Sequence, residues 1–316
     1  MPIAASMFQL LMKEHVLWIG LTCFFCALAC SQVGTFLVMR RLSLVGDAIS
    51  HSVLPGIVVA FLLVGTLDSP WLLIGAGLSG MLATVLIELI HNHSRIRQDA
   101  AIGISFTALF AIGVLILRQR ANKVDLDADC VIHGQVEYIV NFDRVLLFGL
   151  EIPQPTISLA LVALVSILVV SLLYRVLLVS SFDASLAASF GYRPAWVHYA
   201  LMGITSFVVV GAFQVVGAIL VIALLILPGA TGYLCANRLP WVLAVAALHA
   251  LLSAFLGMVL AVAANLNSGA SVVLAGGGIF VLAWLFGPAD GLVIKAWRRR
   301  SAHPRGSGTP VEAGTS

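Results

Sequence analysis

Residues 40–56 read RRLSLVGDAISHSVLPG, and the rest of the chain can be interpreted around them. Two arginines stand at the edge of a long apolar run, and Asp47 and His51 lie inside that run, four residues apart. Four residues is just over one helical turn, so a carboxylate and an imidazole would share one helix face. An ionisable side chain at membrane depth costs roughly 2.5–3.5 kcal/mol on insertion scales, and it usually faces a cavity, a partner or a transport pathway.

The spacing of Asp47 and His51 leaves two interpretations open. A carboxylate oxygen with an imidazole nitrogen is a ligand pair that suits Mn²⁺, Fe²⁺ or Zn²⁺, which favours a site for a divalent cation in transit. The alternative is a hydrogen bond near a helix end, between Asp47 and a backbone amide or His51, that only stabilises the fold. Pairs at this spacing are common on helices, so the spacing alone does not choose between them.

The composition excludes a soluble protein. Hydrophobic residues make up 61% of the chain and charged residues 10%, against roughly 45–50% and 25% in soluble domains. The 316 residues contain no polar block large enough for a second domain. The phosphate-binding sequence G-x-x-x-x-G-K-[ST] is absent, and so is the metalloprotease motif H-E-x-x-H. We therefore predict that the chain is not an enzyme and that any nucleotide hydrolysis belongs to another chain.

Apolar segments of spanning length predict eight or nine transmembrane helices. They lie at about residues 16–39, 44–66, 70–91, 100–118, 156–179, 195–213, 215–235, 241–264 and 270–287. The two segments that meet at GAFQVVG are closely joined, which allows broken or re-entrant pieces there. The predicted fold class is thus an all-α polytopic membrane bundle. Residues 1–290 form the transmembrane domain, and residues 291–316 form a basic anchor followed by a disordered cytoplasmic tail.

Basic residues in the short loops predict the orientation of the chain. If every segment spans once, they fall on one side, which places the N-terminus outside and the C-terminus in the cytoplasm. This basic set is Arg40, Arg41, Arg95, Arg97, Arg175, Arg193, Arg238 and Lys295 with the following arginines. The long loop from residue 118 to residue 151 also carries basic residues, but long loops weigh little in this rule.

The stretch MRRLSLVGDAISHSVLPGI resembles the signature of the membrane subunits of metal-ion ABC importers, the manganese/zinc/iron (ABC-3 type) permease family. In that family an Asp and a His four residues later, followed by Leu-Pro-Gly, recur in this order. The resemblance implies that Asp47 and His51 coordinate the metal ion as it crosses. Similar stretches, LILPGATG and NLNSGASVVLAGGGIF, extend the likeness over about residues 16–290.

Residues 181–193, SFDASLAASFGYR, interrupt the apolar pattern on the predicted cytoplasmic side. Asp183 can cap a short helix and Gly191 can end it in a left-handed turn. Such a helix can dock into a groove on a soluble partner, although an interfacial connector is the simpler interpretation. The pattern Phe-Asp-x-x-x-Ala-x-x-x-Gly resembles the coupling segment of the family. The resemblance implies that Asp183, Ala187 and Gly191 fit against an ATPase subunit.

The long loop contains VDLDADCVIHGQVEYI, in which Asp125, Asp127 and Asp129 alternate with other residues. We expect a short helix or turn over the outer mouth, where these acids can attract cations or pair with basic groups of a partner. The alternative is a solvated loop. The stretch resembles family members whose loop contains D-x-D-C-V-x-x-G, which favours manganese or zinc import.

Taken together, the resemblance implies the permease subunit of a type II-like, ATP-driven metal importer in the bacterial plasma membrane. Its cargo would be Mn²⁺ first, with Zn²⁺ or Fe²⁺ as options, and no cofactor would be permanently bound. The implied partners are a dimer of ABC ATPase subunits, an extracytoplasmic metal-binding protein, a second permease copy or homologue, and the lipid bilayer, with no nucleic acid. The competing hypothesis is a secondary transporter driven by an ion gradient, in which Asp47 and Glu88 relay protons.

Overall fold

The computed structural model describes residues 14–65, 70–120, 136–147, 149–289 and 291–295. The helices are α1 (Glu14–Met39), α2 (Ser43–Val64), α3 (Pro70–His93), α4 (Gln98–Arg120), α5 (Gln154–Leu172), α6 (Tyr174–Phe182), α7 (Ala184–Ser189), α8 (Pro194–Val216), α9 (Ala218–Cys235), α10 (Leu239–Ala264) and α11 (Ser268–Phe286). Between α4 and α5 lie a 3₁₀ helix (Val136–Asn141) and an antiparallel hairpin of β1 (Arg144–Leu147) and β2 (Leu150–Pro153). In the hairpin, Arg144 pairs with Pro153 and Leu147 with Leu150.

Nine helices of the described chain, α1–α5 and α8–α11, are long and apolar enough to cross a membrane. This confirms the prediction of an all-α membrane bundle and favours the higher of the two predicted counts. The short hairpin is an addition to that prediction. It is anchored beside the start of α1, because Arg144 Nη1 lies 3.0 Å from Glu14 Oε1 and 3.5 Å from Glu151 Oε2.

Three of the predicted segments differ from their expected form in the structure. The segment expected at 156–179 is divided at Leu173, which has φ −89° and ψ 4° and separates α5 from α6. The segments meeting at GAFQVVG are not broken pieces, since α8 and α9 are each continuous and only Gly217 lies between them. Gly217 has φ 81°, a conformation that glycine adopts without steric cost. Helix α9 continues across Pro228, which is buried among its neighbours.

The helices form two groups joined by α8. Helix α1 packs against α5, α9 and α10, and α9 also packs against α10 and α11. Helix α2 packs against α3 and α4, while α8 contacts α1, α2, α3 and α5. Helix α1 contributes to the core along its length, and its residues Cys23, Cys26, Cys30 and Phe36 are fully buried.

Glycines allow the helix backbones to touch at two crossings. A Cβ atom on Gly34 of α1 would collide with the carbonyl group of Leu225 of α9, and a Cβ on Gly229 would lie 2.9 Å from Thr35 Cα. In the other group, Gly56 of α2 faces Gly75 of α3 in the same way. Small residues at helix crossings permit the close packing that drives helix association in lipid.

We expect Gly34→Ala to destabilise the bundle, because the new methyl group meets a backbone carbonyl that cannot rotate away. The cost should be about 1–3 kcal/mol, which is typical of overpacking. The unfolding free energy of the purified protein in mixed detergent micelles would measure it. The matched control is Gly103→Ala in α4, where no atom lies within 4 Å of the added Cβ. Equal losses in both variants would contradict the packing argument.

Candidate metal site and coupling segment

Asp47 and His51 lie near the start of α2, whose position is set by the corner after α1. Leu42 N donates to Leu37 O at 2.8 Å, and Arg41 has φ 60°, so α1 ends in a left-handed turn. Helix α2 begins directly afterwards at Ser43. At a rise of about 1.5 Å per residue, Asp47 lies about 6 Å and His51 about 12 Å along the helix. Both side chains are therefore in its first half, on the side of Arg40 and Arg41.

The two side chains lie on one helix face, as their spacing predicted. His51 Nε2 is 3.3 Å from Asp47 Oδ1. The imidazole also lies beside two aromatic rings of α4, with centroid distances of 5.7 Å to Phe106 and 6.4 Å to Phe110. These rings limit the space that the imidazole can occupy. The imidazole of His51 and the carboxylate of Asp47 therefore have a defined orientation towards the remaining open side.

That open side is not closed by the chain itself. The side chain of Asp47 is 36% exposed and that of His51 is 43% exposed, although both belong to a membrane-spanning helix. Over the described ranges, no three His, Cys, Asp or Glu side chains are grouped so that they could hold a metal ion. One chain therefore brings a carboxylate and an imidazole together on a face that lipid would cover only at considerable electrostatic cost.

Arg40 connects the start of α2 to the end of α6. Its Nε donates to Ser181 Oγ at 3.0 Å, and its Nη2 donates to Ser180 Oγ at 2.6 Å. Burial lowers the pKa of the Arg40 guanidinium from its very high usual value, yet arginine remains charged in proteins. Sequence reasoning used Arg40 only as a sign of orientation, because nothing in the sequence links it to two distant serines.

The segment from Asp183 to Gly191 has the local structure that the sequence predicted. Asp183 Oδ1 accepts hydrogen bonds from the Ser185 hydroxyl at 2.6 Å and from the amides of Ser185 and Leu186 at 2.9 and 3.0 Å. Asp183 therefore caps α7, and Gly191, with φ 83°, ends the segment in a left-handed turn.

The same hydrogen bonds lower the pKa of Asp183, with the Ser185 hydroxyl as the largest cause and the Leu186 amide next. A carboxyl whose pKa is depressed in the folded state contributes stability above its unfolded pKa of about 3.9, and that stability is lost as the pH falls through the folded value. The cap is consequently ionised at any pH near neutrality.

Ala187 does not lie on the exposed side of this segment, because its side chain is fully buried. Its small size lets α7 pack closely against the protein. The exposed positions are instead large and apolar: Phe182 is 68%, Leu186 47% and Phe190 65% exposed. Sequence reasoning missed these three residues, although a run of small residues interrupted by Phe, Leu and Phe was the available signal.

A second acid–imidazole pair joins α3 to α8. Glu88 Oε2 lies 2.9 Å from His198 Nε2, and both side chains are 24% exposed. In the sequence, Glu88 with His91 and His93 just beyond it allows a metal exit or a solvated helix end as well as a proton relay, whereas His198 carries little signal because its partner is far away in the chain.

Other predicted features fall outside the described residues. The structure does not describe the acids of the predicted outer mouth, Asp125, Asp127 and Asp129, or residues 296–316 of the predicted tail.

The model of the ABC 3 transport family matches residues 12–287. The chain belongs to this family. Similar proteins include the manganese transport system membrane protein MntD of Bacillus subtilis, which is 38% identical over 89% of this chain and 95% of its own length. The zinc transport system membrane protein TroD of Treponema pallidum is 37% identical over 84% of this chain and 72% of its own length.

Solved structures agree with the fold of this ABC 3 family member. PsaBC from Streptococcus pneumoniae, determined in complex with a Fab, is 29% identical with a TM-score of 0.75, covering 93% of this chain and 99% of the other. An inward-facing structure described as a metal-chelate type ABC transporter shares the fold at 18% identity, with a TM-score of 0.57 and 87% of each chain covered. The protein is therefore a multi-pass protein of the bacterial plasma membrane.

We expect Arg40→Ala to destabilise the corner between α1 and α2, because both serine hydroxyls of α6 lose a charged donor. Hydrogen bonds to charged groups contribute roughly 1.5–3 kcal/mol. Limited proteolysis and thermal unfolding of the purified protein would measure the effect. Arg41→Ala is the matched control, since Arg41 is the adjacent, exposed arginine. A variant of Arg40 as stable as the Arg41 variant would contradict a structural role for the Arg40 contacts.

Proposed function

We propose that this ABC 3 family protein is the transmembrane permease subunit of an ATP-driven importer of divalent transition-metal ions, with Mn²⁺ as the foremost cargo and Zn²⁺ or Fe²⁺ as alternatives. The observation that carries the proposal is the Asp47–His51 pair, 3.3 Å apart on a partly exposed face of α2. Manganese is placed first because relatives at 37–39% identity are named as manganese transport proteins. Zinc follows because TroD is named as a zinc transport protein.

Asp47 and His51 suit such a cargo chemically. A carboxylate oxygen and a neutral imidazole nitrogen bind Mn²⁺, Fe²⁺ and Zn²⁺, whereas Ca²⁺ and Mg²⁺ prefer shells made of oxygen only. A given N/O site generally binds Zn²⁺ more tightly than Mn²⁺. Discrimination in favour of Mn²⁺ would therefore come from the protein that delivers the ion or from the kinetics of passage.

The exposure of these two ligands supports a pathway between two permease chains. If a second copy or a homologous permease faces the same side, the two pairs supply up to four protein ligands and remove a costly contact between Asp47 and lipid. The site formed by the two pairs would then lie between the chains. An extracytoplasmic metal-binding protein would deliver the ion to its outer mouth, where Asp125, Asp127 and Asp129 are proposed to attract it.

Helix α7 and its flanks are the proposed contact with the ATPase dimer. The chain has no nucleotide-binding motif of its own, and Phe182, Leu186 and Phe190 present apolar side chains beside the membrane domain. Asp183 and Gly191 define the two ends of this segment, and Ala187 allows its close packing. An exposed apolar helix face of this kind fits a groove on a soluble partner.

The hypothesis of a gradient-driven secondary transporter is not favoured. It does not account for membership of the ABC 3 transport family. The basic anchor and tail over residues 291–316 remain a proposal for holding the chain at the cytoplasmic lipid surface.

We predict that Asp47→Ala and His51→Ala each reduce uptake of radiolabelled Mn²⁺ and Zn²⁺ by about tenfold or more in cells that produce the whole importer. A ligand worth about 1.4 kcal/mol or more to the bound ion accounts for that factor. The matched control is Asp99→Ala. It removes a carboxylate of α4 whose ion pair in the described chain, with Arg97 at 3.8 Å, is exposed. Full uptake by Asp47→Ala at normal protein level would refute the proposed metal site.

We predict that Asp183→Ala uncouples ATP hydrolysis from uptake, because α7 loses the acceptor for its first amides. Asp183→Ser should retain most of the coupling, since serine is also a good helix cap. The measurement is metal-stimulated ATP hydrolysis and uptake by the complete importer in proteoliposomes. If the Ser and Ala variants behave alike, the cap is not what the coupling requires.

A further inference from the structure

The contact between Glu88 and His198 repeats the chemistry of Asp47 and His51. In each pair a carboxylate oxygen faces an imidazole Nε2, at 2.9 Å for Glu88 with His198 and at 3.3 Å for Asp47 with His51. The second oxygen of Glu88 has only a weak donor in Asn92 Nδ2 at 3.5 Å. The carboxylate therefore keeps lone pairs that a cation can use.

The Glu88–His198 pair lies on the side of the bundle where the basic loops predict the cytoplasm. Glu88 is five residues before the end of α3 at His93, and His198 is four residues after the start of α8 at Pro194. Both are thus about one helical turn inside the ends of their helices. Asp47 is likewise four residues after the start of α2 at Ser43, so the two pairs lie at a similar depth on this side of the bundle.

A small cavity gives access to this pair. Its volume is about 50 Å³, and Glu88, His198, His91 and Gln98 all line it together with Val45 of α2. A single water needs about 10–15 Å³, so the cavity can hold an ion with a few of its waters. Val45 is buried and precedes Asp47 by two residues, about 200° around the helix, so the cavity lies on the packed side of α2, behind the face that carries Asp47 and His51.

His91 adds a further donor at the edge of the cavity. It follows Glu88 by three residues on α3, and Glu-x-x-His at this spacing presents both side chains to one side of a helix, as in carboxylate-bridged di-metal proteins. Its Nδ1 lies 3.3 Å from the carbonyl of Ile96, so its Nε2 is the nitrogen directed away from that contact. In the described chain these three side chains are not gathered closely enough to enclose an ion.

We propose that Glu88 and His198 form a second station for the transported divalent cation, with His91 and Gln98 as outer donors and water completing the shell. This inference rests on the proposed function for its cargo. Two protein ligands make a weak site, and a weak site suits a station for an ion in transit, because such an ion must bind favourably enough to enter and weakly enough to leave.

The competing explanation is that the pair only holds α3 against α8. Glu88→Gln separates the two explanations, since glutamine has nearly the same shape and can still hydrogen-bond to His198 but lacks the carboxylate charge. A structural contact survives this substitution largely intact, whereas a cation site does not. Thermal unfolding and size-exclusion chromatography verify that each variant is folded.

The test uses Co²⁺ alone as the probe, whose visible absorption reports oxygen and nitrogen ligands, with the full-length protein assembled with its ATPase in lipid nanodiscs. In an Asp47→Ala/His51→Ala background we expect Co²⁺ still to bind. Adding Glu88→Gln or His198→Gln should weaken that binding by about tenfold or more. Adding Asp99→Asn, an exposed carboxylate of α4, should leave it unchanged.

Two results would overturn the second station: no Co²⁺ binding once Asp47 and His51 are removed, or unchanged binding after Glu88→Gln in that background. The first result still supports the Asp47–His51 site, so the two proposals fail separately. Conversely, Co²⁺ binding that is unaffected by Asp47→Ala/His51→Ala and abolished by Glu88→Gln supports the station while refuting the site proposed on α2.

Discussion

The backbone contact between α1 and α9 is the constraint on which the position of the Asp47–His51 pair depends. In lipid, helix association relies on close packing rather than on the hydrophobic effect, and Gly34 lets α1 approach the carbonyl group of Leu225. With α1 fixed in the centre, the left-handed turn at Arg41 fixes where α2 starts. Arg40 then holds the same corner against α6. The depth of Asp47 is thus determined by contacts in which neither Asp47 nor His51 takes part.

The exposure of Asp47 and His51 contrasts with the burial around them. Their neighbours Ala48, Ile49, Ser50 and Ser52 are at most 3% exposed and face the other helices. Hydrophobic and small residues therefore hold α2 in place on one side, while its two ionisable residues are left on the other. A helix built only for stability has no reason to leave its carboxylate on the open side of a membrane bundle, and this asymmetry is the strongest structural argument for a pathway beside α2.

Local structure, such as helix limits and caps, could be predicted from the sequence. Contacts between residues far apart in the chain could not. Apolar length predicted the spans, and cap chemistry predicted the roles of Asp183 and Gly191 at the ends of the α7 segment, because these depend on neighbouring residues. The break at Leu173 was missed since it lies in an apolar run without Pro or Gly. The pairs Arg40–Ser180 and Glu88–His198 were missed because their partners meet only after the helices pack. The burial of Ala187 also depends on packing.

These distant contacts connect α7 to α2 without interruption. Helix α7 leads through the turn at Gly191 into α8, whose early residue His198 contacts Glu88 of α3. Further along, Ser206 of α8 donates to the carbonyl of Gly77 of α3 at 3.2 Å, and Ser79 of α3 donates to the carbonyl of Ser52 of α2 at 2.6 Å. Ser52 directly follows His51. Helices are stiff and these contacts are short. A large shift of α7 relative to the bundle would therefore strain the contacts that position the Asp47–His51 pair.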